Sequence, residues 1–232
     1  MISMEGKHVL VITPHPDDAE SGAGGTISKW SNQGAIITLV VCTNGNKGTS
    51  DRSISSEKIA SIRRSEQLEA AKVLGIEKVV FLDHPDQGLT DNDEFRKQLV
   101  TQIRTYKPDV VITIDPERKW IRHRDHYMTG RVALDAIFPY ARDYLAYPDL
   151  IDCGLEPHKV LKVFLWGTDD PDTFIDIDEF FQTKIDALYC HASQMSSSKE
   201  QGYARLAKRF SEHGAKVDSE LAEPFKLITV RG

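Results

Sequence analysis

Cysteine is scarce in this chain of 232 residues: Cys42, Cys153 and Cys190 are the whole supply. They are odd in number, widely spaced and form no Cys-x-x-Cys pair. That pattern excludes a disulfide scaffold and predicts reduced, mostly buried thiols in a cytoplasmic protein. Positive charge is not in surplus either. The 29 basic side chains face 35 acidic ones, a formal charge of -6, which speaks against nucleic acid or stable association with an anionic membrane. Apolar runs such as Ile36 to Cys42 fall far below the ~20 residues that span a bilayer. The opening Met1 to Lys7 lacks the apolar stretch of a signal peptide. Internal repeats, low-complexity tracts and shifts in composition are missing as well. The expectation is one soluble domain over residues 1–232.

What is present is ordinary globular material, 40% hydrophobic and 28% charged. Four β-branched runs, Val9 to Thr13, Ala35 to Cys42, Lys78 to Leu82 and Asp109 to Ile114, do not alternate with polar residues. Each suits a strand buried on both faces. Leu161 to Trp166 and Phe225 to Val230 read as two further strands. Helical patterns lie between: Thr26 to Gln33, Ser55 to Leu74 with a stripe of Ile59, Ile62, Leu68, Ala71 and Leu74, Asp93 to Tyr106, Asp178 to His191 and Lys199 to His213. Gly75 and Pro108 close two of them. Strand and helix in alternation predict a Rossmann-like, doubly wound, mostly parallel sheet in an α/β/α sandwich of three layers. Residues 139–158 form the least regular part.

In such sheets sites form at the carboxyl ends of strands. The first strand is followed by Pro14-His15-Pro16-Asp17-Asp18 and a glycine run, Gly22-x-Gly24-Gly25. The fourth is followed by Arg122-His123-Arg124-Asp125-His126. Either cluster alone is also what a capped turn or a charged loop looks like. Together they offer histidine, aspartate and histidine, a three-ligand set that leaves a position open on a catalytic metal. The glycine run lacks the G-x-G-x-x-G spacing of a dinucleotide loop. It is expected to let a helix start close beneath a polar loop.

These motifs resemble the PIG-L (LmbE-like) family of zinc-dependent de-N-acetylases. The likeness rests on Pro14 to Asp18 with Gly22-x-Gly24-Gly25-Thr26 and on His123-x-Asp125-His126. Thr43-Asn44-Gly45, Arg63-x-x-Glu66, Pro85-Asp86-x-Gly88-Leu89, Lys184-x-x-Ala187 and His191-x-Ser193-Gln194 add to it. Two positions depart from the family pattern: Ala19 follows the aspartate pair, with Glu20 one place later, and Arg124 stands where proline is common.

The resemblance implies zinc, with Fe²⁺ also suited to the donors, held by His15, Asp18 and His126. It implies Asp17 as general base and His123, oriented by Asp125, as stabiliser of the oxyanion. Arg63 matches a substrate-contacting arginine, although Glu66 at i+3 is a ready partner for it. Asn44, Asp86, Trp120 and His191 are further candidates for substrate contact. The expected reaction is hydrolysis of an N-acetyl group from an N-acetylglucosamine-type sugar, by a chain that forms a homo-oligomer. Alternatives are a metal-dependent amidohydrolase acting on another N-acyl substrate, and a non-catalytic sugar-binding relative.

Overall fold

The computed structural model describes residues 3–120 and 122–230. Seven strands form one sheet: β1 (His8–Thr13), β2 (Ile36–Thr43), β3 (Lys78–His84), β4 (Val110–Ile114), β5 (Lys162–Trp166), β6 (Thr173–Asp176) and β7 (Ala222–Thr229), in the order β3-β2-β1-β4-β5-β7-β6. The first five run parallel, and β7 runs antiparallel to both β5 and β6. The doubly wound, mostly parallel sheet expected from the sequence is therefore present, with an antiparallel edge added. Strand β6 leaves little signal in the sequence, because Thr173 to Asp176 is short and only half-buried.

The helices are α1 (Asp18–Asn32), α2 (Ser56–Leu74), α3 (Asp93–Tyr106), α4 (Arg124–Asp135), α5 (Pro148–Asp152), α6 (Phe181–Leu188) and α7 (Lys199–Gly214). Alternate side chains of β1 show the layering. Val9 and Val11 pack with Ala23 and Ile27 of α1 and Leu74 of α2. Leu10 and Ile12 pack with Leu99 and Ile103 of α3 and Val132 of α4. Each such fully buried side chain contributes about 1.5–3 kcal/mol, which is why these strands carry no polar alternation. A smaller cluster, including Phe181, Ile185, Leu206 and Phe210, joins α6 to α7. Among the described residues no helix is long and apolar enough to cross a membrane. Cys42 is buried, Cys190 half-buried and Cys153 exposed, and none is in a disulfide.

Helix α1 corrects the sequence reading. It begins at Asp18, eight positions before Thr26, so the glycine run lies within a helix and not in a loop. Helix propensity argues against three glycines there, but packing overrides it. A Cβ on Gly25 would stand 2.7 Å from Ile177 Cγ2, and one on Gly24 3.2 Å from Lys184 Cγ. The same turn is tied sideways by a buried ion pair, Lys184 Nζ to Glu223 Oε1 at 2.7 Å. Lys184 also donates to the carbonyls of Glu20 and Ser21, and Glu223 accepts from the N–H groups of Gly25 and Thr26.

Two further differences share a cause in tertiary context. Residues 178–180 form a 3-10 turn, and α6 stops at Leu188, so His191 lies beyond the helix. In α2, Leu68 faces solvent at 41% exposure, while Arg63 and Gln67 occupy the buried face. Segment 139–158 wraps Arg104, whose fully buried guanidinium donates to the carbonyls of Tyr140, Ala141, Asp143, Ala146 and Tyr147. Five donated hydrogen bonds replace the hydration lost by that charge.

Gly25→Ala gives a test with a definite sign. In an exposed helix the change stabilises by about 1 kcal/mol. Here overpacking against Ile177 predicts a loss of about 1–3 kcal/mol, measured by denaturant unfolding. An unchanged or raised midpoint contradicts the tight seating of α1.

Candidate metal centre and active site

Strand β1 lies between β2 and β4, and its register with β4 (Val9↔Val110 through Ile12↔Thr113) brings their carboxyl ends side by side. The chain segments leaving β1 and β4 therefore face each other across one crevice. His15 leaves β1 in a short turn. Asp17 adopts a left-handed φ of 100° and Asp18 starts α1. After β4, His123 is the N-cap of α4, its Nδ1 accepting the Asp125 N–H at 3.2 Å. Histidine is not a preferred N-cap, which is why the Arg122 to His126 run reads as a loop from sequence.

His15 is buried and meets carboxylates on both ring nitrogens. Nδ1 is 2.9 Å from Asp18 Oδ2; Nε2 is 3.1 Å from Asp125 Oδ2 and 3.2 Å from Asp86 Oδ1. Burial alone would lower its pKa, but Asp125, Asp18 and Asp86 outweigh that and push it up to about 11. The same Asp18 oxygen lies 3.1 Å from His126 Nε2. Burial works against ionisation of Asp18, yet His126 and His15 hold its carboxyl far below the usual range. The expected ligand set thus converges, with Asp18 Oδ2 between His15 Nδ1 and His126 Nε2.

Asp125 does not orient His123 through its carboxylate. It is fully buried, accepts the N–H groups of Gln87 and Leu89 at 2.6 and 3.1 Å, and faces His15. It therefore fixes a candidate ligand, the arrangement metal-binding imidazoles usually have behind them. Asp86, expected against sugar hydroxyls, stands instead between His15 and His123, 3.9 Å from His123 Nε2. Its buried Oδ1 has the His15 ring as its near partner, at 3.2 Å.

The donors fit a divalent cation. One ring nitrogen each from His15, His123 and His126 lie within 4.8 Å of one another, as do donor atoms of His15, Asp86, His123 and Asp125. Because Nε2 of His15 already faces two carboxylates, Nδ1 is the nitrogen left for a metal, whose binding would displace its proton. Two imidazoles and a carboxylate form a nitrogen–oxygen set suited to zinc.

Asp17 sits beside this cluster. Burial and the neighbouring Asp18 charge raise its pKa to about 7, against the pull of Arg63 and His191. Arg63, only 4% exposed, does not pair with Glu66. It donates to Pro16 O at 2.6 Å and Gly45 O at 3.2 Å, and stands 3.3 Å from Asp17 Oδ2. It clamps the turn that carries Asp17. Gly45, at φ 62°, permits this, since a Cβ there would lie 2.5 Å from Arg63 Nη1. Glu66 accepts from Ser193 instead. His123 is pushed down by burial and by the charge of His15. Since its Nδ1 accepts a hydrogen bond, the neutral ring carries its proton on Nε2.

The other substrate candidates scatter. Asn44 is half-buried and caps a turn, accepting the Asn46 N–H at 3.1 Å. Trp120 is 92% exposed, and His191 is fully buried. A cavity of about 360 Å³ does open against Asp18 and His126. Its walls include Trp166, Phe210, Arg118 and Arg209. Segment 139–158 contributes nothing to these walls. Sequence reasoning missed Trp166, which ends β5, and Gln67, which follows Arg63 by one helical turn. The spacing of Arg63 and Gln67 on the inner face of α2 was a usable signal.

The chain is 36% identical over 188 residues to diacetylchitobiose deacetylase of Thermococcus kodakarensis, covering 81% of this chain and 70% of the relative. The structure superposes on N,N'-diacetylchitobiose deacetylase from Pyrococcus horikoshii, complexed with its inhibitor MPG, with a TM-score of 0.91 and 33% identity. That match covers 96% of this chain and 84% of the other. At 23% identity and a TM-score of 0.81, GalB, the 4-carboxy-2-hydroxymuconate hydratase of Pseudomonas putida KT2440, shares the fold, over 97% of this chain and 98% of its own. Residues 10–137, which carry both histidine motifs, match the PIG-L family, described as GlcNAc-PI de-N-acetylase, and the chain belongs to that family.

Proposed function

We propose that this chain is a zinc-dependent de-N-acetylase that hydrolyses the N-acetyl group of an N-acetylglucosamine-type sugar or sugar conjugate. The observation that carries the reading is the pairing of Asp17 with the candidate ligand set. A carboxylate raised to about 7 and clamped by Arg63 adjoins Asp18 in the turn between His15 and α1. Pure binding needs no such base. The deacetylases of diacetylchitobiose among the relatives supply the substrate class.

His15 Nδ1, Asp18 Oδ2 and His126 Nε2 would hold the ion. Zinc in that position supplies Lewis-acid polarisation of the acyl oxygen and makes water more acidic. Asp17 takes the proton of the attacking water and later delivers it to the leaving amine nitrogen, so that amide and water give acetate and amine. The neutral His123 donates from Nε2 to the acyl oxygen as negative charge develops there. Asp125 and Asp86 keep the proton of His15 on Nε2. The cavity beside Asp18 and His126, with Trp166 on its wall, receives the sugar. Cytoplasmic operation fits the unpaired thiols. A homo-oligomer belongs to the same reading, and the exposed Phe138, Tyr144, Leu145 and Leu161 offer it apolar surface.

Acetate release from N-acetylglucosamine and N,N'-diacetylchitobiose tests the reaction; no acetate from the zinc-loaded protein on any N-acetyl sugar sinks it. Asp17→Asn is expected to retain zinc while kcat falls about 10²–10⁴-fold, the usual worth of a general base. Wild-type turnover in that variant removes Asp17 from the role. His126→Ala is expected to weaken zinc binding by more than about 100-fold, a loss that outer partners alone can reach. Full zinc occupancy at micromolar metal contradicts the ligand set.

A further inference from the structure

Beneath Asp17 lies a buried polar group of residues that the proton transfers do not use. Gln67, fully buried on α2, presents Oε1 to the Asp17 N–H at 3.3 Å and Nε2 to Glu20 Oε1 at 2.6 Å. Glu20, on the first turn of α1, is fully buried too, and its Oε2 has no hydrogen-bond partner. His191 closes the far side, its Nε2 3.6 Å from Glu20 Oε2. Neither ring nitrogen of His191 has a hydrogen-bond partner.

A carboxamide can face either way, but a carboxylate only accepts. Glu20 therefore compels Gln67 to turn its NH₂ toward α1, which leaves the carbonyl oxygen for Asp17. That matters because Asp17 has a left-handed φ of 100°, a strained conformation for an aspartate that persists only where its surroundings hold it. We infer that Glu20 and Gln67 are a positioning pair: Glu20 sets the orientation of the Gln67 carboxamide, and Gln67 holds the Asp17 backbone in the turn that aims its carboxylate at the site. His191 backs the pair from the other side. The inference rests on Asp17 acting as the general base.

Exchanging the two functional groups in the zinc-loaded full-length protein tests this. Gln67→Glu sets two carboxylates against each other and removes the donor. Adding Glu20→Gln restores one donor and one acceptor along the same line. In Q67E, kcat for acetate release is expected to fall between about tenfold and about a hundredfold, the scale of small misplacements, with KM and zinc content little changed. The E20Q/Q67E double variant is expected to recover most of that loss, which a merely structural role would not predict.

Wild-type kcat in Q67E overturns the inference. So does a double variant as impaired as Q67E while melting near the wild type. Should Q67E not fold, Gln67→Met removes the acceptor without adding charge and is read the same way. A crystal structure of Q67M keeps the inference separate from the proposed reaction. Asp17 is expected to leave the left-handed region, and a retained φ overturns the pair even if wild-type protein releases no acetate.

Discussion

One buried imidazole organises the site. His15 is held between Asp18 on one ring nitrogen and Asp86 and Asp125 on the other, and each aspartate arrives on a different piece of chain. Asp18 comes with α1, Asp86 with the turn after β3, and Asp125 with the first turn of α4. Three carboxylates around one ring are costly in a low-dielectric crevice unless positive charge answers them. A proton on His15 and a divalent cation on its Nδ1 are two ways to provide that charge. Metal affinity and local fold therefore follow from the same cluster.

The constraint propagates outward. To bring Asp18 against His15, α1 must begin one short turn after β1 and lie close to its neighbours, which is where Gly24 and Gly25 and the Lys184–Glu223 pair act. To keep the intervening turn in a left-handed shape, α2 spends part of its inner face on polar groups. Arg63 clamps the carbonyls of Pro16 and Gly45, and Gln67 meets Glu20 and Asp17. A helix whose buried face is partly polar looks poorly amphipathic in sequence. Here the polar positions support the site, and Leu68 is released to solvent.

This explains what could be read beforehand. The strands of the parallel sheet were legible because burial on both faces removes polar alternation, and the histidine and aspartate motifs were legible because they fall at strand ends. Helix α1 was hidden since glycine signals a break by propensity, whereas the close approach of Ile177 and Lys184 is a long-range fact. Helix α4 was hidden by its unusual histidine cap. The roles of Asp86, Asp125 and His191 could not be assigned from spacing. Which nitrogen of His15 a carboxylate faces depends on how three strand ends meet, and no local pattern records that.

The most direct measurement is anomalous diffraction at the zinc edge from crystals of the zinc-loaded protein. The assignment predicts one ion in contact with His15 Nδ1, Asp18 and His126, with Asp125 still against His15 Nε2. An ion held through His15 Nε2 together with Asp86 and His123 would contradict it, and would move the reacting centre away from Asp17.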